Sequence, residues 1–176
     1  MQEDYFELFG LPRSYQLDQQ QLATRFRELQ QVVHPDRHAA ANERDQRLSV
    51  QYAAHVNDAY QTLKAPVPRA IYLLRCRGIE PRLENNTVMD AAFLMQQMEW
   101  REALDELRSS RSEADLEALR SEADSQMGRF QAQFSELWQG EAKALEQAES
   151  LVMKMQFVDK LQEQLDQLED ELLDDY

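Results

Sequence analysis

The residues of this chain best placed to do chemistry are His34, Pro35 and Asp36: an imidazole, a rigid corner and a carboxylate in succession. Proline disfavours helix for the residue before it and cannot continue one itself. A helical pattern that runs cleanly to Val33 must therefore stop there and leave the three side chains on a loop. Loops held by rigid helices are where binding chemistry concentrates. Arg25 and Arg27 upstream and Arg37 downstream surround this loop with cations. Three other uses of the residues are weaker. His34 and His38 have the spacing of a metal pair on a helix, but Pro35 spoils that geometry and no further ligand accompanies them. A His–Asp acid–base dyad lacks a nucleophile motif or glycine-rich cradle beside it. The third is a plain structural helix stop. Cys76 is the only cysteine, so there is no disulfide and no zinc or iron–sulfur ligand set. A lone thiol fits a reducing compartment. No catalytic residue, metal site or cofactor is expected.

The elements that must position this loop are helices. Tyr5, Phe6 and Phe9 make an aromatic stripe in a short helix closed by Gly10-Leu11-Pro12. A second helix begins at Asp18, whose side chain caps the first turn, with Gln21 at the capping-box position and Leu17 and Leu22 as a hydrophobic staple. Leu22, Phe26, Leu29 and Val33 then share one face, and Arg25 and Arg27 lie off it. A third helix carries Leu48, Tyr52, Val56, Ala59 and Leu63 on one face, and Pro66 and Pro68 are expected to end it. Arg69 to Arg77 reads as a short helix. Its consecutive Ile71, Tyr72, Leu73 and Leu74 cannot all face one side, so it is expected to be wedged between two modules. Gly78, Pro81 and Asn85-Asn86 read as breaks.

Three longer helices follow. Thr87 with Asp90 marks a capped start, after which Phe93, Trp100, Leu104 and Leu107 share a face. Beyond a break at Ser109-Ser110, Ser112 opens a helix carrying Leu116, Leu119, Ala123, Met127, Phe130, Phe134 and Leu137. Gly140 interrupts, and a last helix carries Leu151, Met155, Val158, Leu161, Leu165, Leu168 and Leu172, with a frayed acidic tail at the end. Short connections imply antiparallel neighbours, hence a three-helix bundle. The fold class is all-α. The expected division is a first module over 1–77, a linker over 78–86 and the bundle over 87–176.

The first bundle helix holds a second constellation. Opposite its core stripe stand Leu94, Met95 and Met98, interleaved with Glu99, Glu102 and Glu106. A helix needs one apolar face to join a bundle. A second, rimmed by carboxylates, has the character of a partner-binding surface. Phe157, off the main stripe of the last helix, is expected to extend it.

Charge divides the chain in the same way. Residues 1–78 carry ten Lys/Arg against nine Asp/Glu, a net +1, whereas residues 79–176 carry nine against twenty-four, a net −15. Two modules with different partners are implied. The acidic half argues against nucleic acid, whose phosphates it would repel. No apolar run approaches a membrane span, and the acidic Met1-Gln2-Glu3-Asp4 start lacks the pattern of a signal or transit peptide, so a cytoplasmic protein is expected.

The short aromatic helix, the helix with an arginine face, His34-Pro35-Asp36, and a third helix with Asn57, Ala59 and Leu63 together resemble a J domain. Val33 stands where many J domains have an aromatic residue, and Arg37 replaces the usual lysine. The whole chain resembles the HscB family of J-domain co-chaperones. The likeness rests on Phe93-Leu94-Met95 continuing into Glu99, Arg101-Glu102 and Asp105-Glu106, and on Phe157-Val158-Asp159-Lys160-Leu161. The resemblance implies that His34, Pro35, Asp36, Arg25, Arg27 and Arg37 meet an HscA-type ATPase chaperone, stimulating its ATP hydrolysis, with Asp36 pairing an arginine of the chaperone. It implies that Leu94, Met95, Met98, Glu99, Glu102, Glu106 and Phe157 bind an IscU-type iron–sulfur scaffold. The absence of N-terminal cysteine pairs favours a bacterial member. A general client-delivering J protein for a DnaK-type chaperone and a plain helical adaptor are the alternatives.

Overall fold

The computed structural model describes residues 4–33, 42–82 and 90–174. His34, Pro35, Asp36 and Arg37 lie outside them, as does Thr87. The described residues form helices and no strand: α1 (Tyr5–Leu8), α2 (Gln19–Val33), α3 (Glu43–Lys64), α4 (Pro66–Cys76), α5 (Ala91–Ser110), α6 (Glu113–Leu137) and α7 (Ala142–Asp174). The chain divides into two compact units, Met1–Leu73 and Leu74–Tyr176, the division falling inside α4.

In the first unit, α1, α2 and α3 each start on a carboxylate or amide that satisfies otherwise unpaired N–H groups. Asp4 accepts from Phe6 and Glu7, Asp18 from Gln20 and Gln21, and Asn42 from Asp45. Gly10, in the left-handed region at φ 62°, turns the chain out of α1. Helices α2 and α3 pack antiparallel: the Phe26 ring stacks on Tyr60 at 3.9 Å, and Gln19 Nε2 reaches the Lys64 carbonyl. Leu22, Val33, Val56, Ala59 and Leu63 are buried between them with Phe6 and Phe9.

Two expectations need correction here. Leu48 and Tyr52 continue the sequence stripe of α3 but are exposed: α3 has 22 residues against 15 in α2, so its first turns lie beyond the antiparallel overlap of the two helices. Pro66 and Pro68 do not merely end α3. That helix stops at Lys64, Ala65 is extended, and Pro66 is the first residue of α4. Proline suits this position because its missing N–H belongs to the turn that has no intrahelical acceptor.

Helix α4 ends in a turn that reverses the chain. Gly78, at φ 77°, donates to the Arg75 carbonyl and Ile79 donates to the Leu74 carbonyl, the paired bonds of a glycine-terminated helix. Arg77 then closes the far end of α6 by donating to the Trp138 and Gly140 carbonyls.

The second unit is an up-down-up bundle. Arg120 pairs with Asp166 and Gln162 with Asp124, so α6 and α7 run antiparallel. Asp90 pairs with Lys154 and Phe93 with Phe157, so α5 and α7 run parallel. Helix α5 starts on Asp90, which accepts from the Phe93 N–H at 2.8 Å. It runs through Ser109 and Ser110, and Arg111 in the left-handed region ends it instead. Its Phe93, Trp100, Leu104 and Leu107 are buried against Leu116, Leu119, Ala123, Met127, Phe130 and Phe134 of α6 and Leu151, Met155, Val158, Leu161 and Leu165 of α7. Leu137, Leu168 and Leu172 are only half-buried. The expected frayed tail is helical as far as Asp174.

Candidate functional site

In the first unit His34, Pro35, Asp36 and Arg37 lie outside the described residues, but the helix that precedes them in the chain does not. Arg25 and Arg27 are exposed on α2, on either flank of the face that carries the buried Leu22 and Val33. Arg25 reaches Glu28 at 3.3 Å, which partly neutralises it. Arg27 folds back on its own helix, donating to the Ala23 carbonyl and the Thr24 hydroxyl, and no carboxylate among the described residues holds it. The Phe26–Tyr60 stack fixes the hairpin beneath these cations.

In the bundle, the two faces of α5 separate cleanly. Trp100 is buried, and its indole N–H donates to Glu122 at 2.9 Å, satisfying the polar atom an inward tryptophan carries with it. On the outer side Leu94, Met95 and Met98 are 46%, 63% and 72% exposed, with Glu99, Glu102 and Glu106 exposed around them. Lys154 anchors the start of this helix. Its ammonium lies 2.6 Å from Asp90, over the rings of Phe93 and Phe130, and holds the Asp90 carboxyl below the usual carboxylate range.

Phe157 is placed differently from the other six. It is half-buried, packs edge-to-face on Phe93 at 6.1 Å, and lines a groove of about 350 Å³ between α5 and α7. Trp100, Leu104 and Leu161 line the same groove, with Arg101, Arg108 and Lys160. Sequence reasoning missed this groove and its cations. Their pairing depends on the parallel register of α5 and α7, which helical periodicity cannot supply.

Among the described residues no group of three or more His, Cys, Asp or Glu is arranged to hold a metal ion, and no helix is long and apolar enough to cross a membrane.

A family profile described as the HSCB C-terminal oligomerisation domain matches residues 89–166. The co-chaperone protein HscB homologue of Shewanella loihica is 47% identical over 171 residues, spanning 96% of this chain and 99% of that protein. The chain belongs to the HscB family. Two solved HscB structures share its architecture: the Vibrio cholerae chaperone HscB, with a TM-score of 0.84 and 40% identity over 97% of this chain and 99% of that one, and human HscB, with 0.83 and 32% over 93% and 81%. In HscB terms the first unit is a J domain and the second is the C-terminal helical bundle, and the role of this chain is that of a co-chaperone.

Proposed function

We propose that this HscB-family chain binds an IscU-type iron–sulfur scaffold and delivers it to an HscA-type ATPase chaperone, stimulating ATP hydrolysis to promote cluster maturation and transfer. The chaperone is engaged by His34, Pro35 and Asp36, with Arg25, Arg27 and Arg37 meeting an acidic chaperone surface. The scaffold is held by Leu94, Met95, Met98, Glu99, Glu102, Glu106 and Phe157. The working division remains 1–77 for the J module and 87–176 for the bundle, acting in a bacterial cytoplasm. The chain contributes no catalytic group and no cofactor; the cluster's ligands belong to the scaffold. Holding scaffold and chaperone together raises the local concentration of one at the other, so modest individual contacts suffice.

The observation that carries this reading is the exposed row Leu94, Met95 and Met98 on a helix whose other face already fills the core. Three large apolar side chains on adjacent turns contribute little to folding, and with a carboxylate rim they form the kind of centre around which interfaces are built. Calorimetry of the chain with purified IscU-type scaffold, together with a chaperone ATPase assay, tests it. Binding and stimulation are expected, and Asp36→Asn abolishes stimulation without loss of helicity, since a charge-assisted contact to the chaperone disappears. Undiminished stimulation by that variant overturns the J-domain mechanism.

A further inference from the structure

The groove between α5 and α7 differs in charge from the rest of its module. The C-terminal part of the chain is strongly acidic, yet the groove presents Arg101, Arg108 and Lys160 against a single carboxylate, Asp105. Asp105 is engaged with Arg108 at 3.0 Å. Arg101 and Lys160 are exposed, and among the described residues neither has a carboxylate partner. Between these cations the floor is apolar: Phe157, Trp100, Leu104 and Leu161. Two free cations flanking an apolar floor fit a segment with an apolar side chain between carboxylates.

The position of this groove on α5 matters as much as its charge. At about 100° per residue, Arg101 and Arg108 fall on one side of the Leu94/Met98 ridge, whereas Glu99, Glu102 and Glu106 fall on the other. The docking surface is therefore an apolar ridge with an acidic flank and a cationic flank. A partner bound in reverse would set like charges against each other on both flanks, a cost that excludes wrong poses.

We infer that the α5–α7 groove receives an acidic–apolar segment of the scaffold, and that Arg101 and Lys160 fix the orientation in which the scaffold docks. The inference rests on the reading of the bundle as the scaffold-binding module. Its test is calorimetry of the full chain with purified IscU-type scaffold, comparing two variants of equal net charge. Arg101→Gln/Lys160→Gln removes the groove cations. Arg129→Gln/Lys143→Gln removes two exposed cations that do not line the groove. The groove pair is expected to weaken binding about tenfold and flatten its salt dependence, and the matched pair to change it less than about twofold. Unchanged or tighter binding by the groove pair, or equal weakening by both, overturns the inference. If Leu94→Ala/Met98→Ala abolishes binding while the groove pair has no effect, the groove fails but the scaffold reading stands. If the unaltered chain does not bind scaffold, both fail. Sedimentation of the free chain separates the remaining case: self-association lost with the groove pair, and scaffold affinity kept, makes the occupant a second copy and overturns the proposal.

Discussion

Trp100 and Met98 sit two residues apart on one helix and have opposite relations to the fold. Trp100 is 3% exposed and hydrogen-bonded to Glu122; Met98 is 72% exposed. Truncating them should separate stability from binding. Trp100→Ala is expected to cost about 3–5 kcal/mol and melt the bundle, as for other large core truncations. Leu94→Ala/Met95→Ala/Met98→Ala should leave the melting transition within about 1 kcal/mol of the unaltered chain while removing scaffold binding. Circular dichroism and calorimetry on both variants decide it, and an early-melting triple variant would mean the faces are assigned the wrong way round. Phe157 is excluded from that variant because it packs on Phe93, so Phe157→Ala combines a loss of stability with any loss of binding. Tyr15 offers a second prediction. Its hydroxyl donates to the Pro66 carbonyl at 3.2 Å, and its ring faces the buried Arg69, whose guanidinium donates to the Leu63 carbonyl. Burial pushes the Tyr15 hydroxyl up from 10.0 to about 12, against an opposing pull from Arg69. The unfolded chain releases this proton first, so the native state holds more protons between the two values and stability falls as pH rises through that window. Below 10.0 the contribution is complete. Tyrosinate absorbance followed alongside helicity should show an alkaline loss of stability that Tyr15→Phe reduces.

At the scale of the element, the start of α5 decides how the outer residues are presented. Asp90 caps the helix through the Phe93 N–H and is held by Lys154 across the bundle. Asp90→Ala is expected to cost about 1 kcal/mol, the usual value of a lost cap. The Lys154 hydrogen bond, with help from the Phe93 N–H, lowers the Asp90 carboxyl below 3.8. A depressed carboxyl contributes stability that is fully present above the unfolded value and is lost as pH falls through the folded one. Urea midpoints on the acid limb should therefore fall less steeply for Asp90→Asn, which retains a capping oxygen but no charge. Gly78 is the other element-level determinant. At φ 77° any side chain is strained, so Gly78→Ala should cost about 1 kcal/mol through the backbone alone, since nothing lies within 4 Å of the added carbon.

For the whole molecule, the unequal charge of the two parts sets the conditions under which each would work. Arg25, Arg27 and Arg37 belong to a part of net +1 and would act locally on a partner surface; screening reaches about 8–10 Å at ordinary ionic strength. Raising salt should increase the chaperone concentration needed for half-maximal stimulation while changing the maximal rate little; a salt-independent half-maximal concentration would count against electrostatic docking. The triple variant of α5 supplies a whole-chain test of separable roles. It should stimulate chaperone ATPase normally when scaffold is absent and lose only the scaffold's additional effect.

Much of this was legible in the order of residues. Helical periodicity fixes which residues of α5, α6 and α7 turn inward, because burial repeats at the helix period whatever the partner helix is. Proline and glycine mark the ends of α1 and α4 because their backbone limits are local. The resemblance to J domains and to the HscB family rests on short strings that survive without any coordinates. Tertiary structure decided what depends on register between helices. It exposes Leu48 and Tyr52 because the first turns of α3 lie beyond its antiparallel overlap with α2; that Pro66 begins a helix is by contrast local, since proline suits a first helical position. It also moves Phe157 off the exposed ridge onto Phe93 and gathers Arg101, Arg108 and Lys160 along one groove. Periodicity ranks faces within a helix, but which faces of two helices meet, and at what offset, is settled only when their side chains pack against each other.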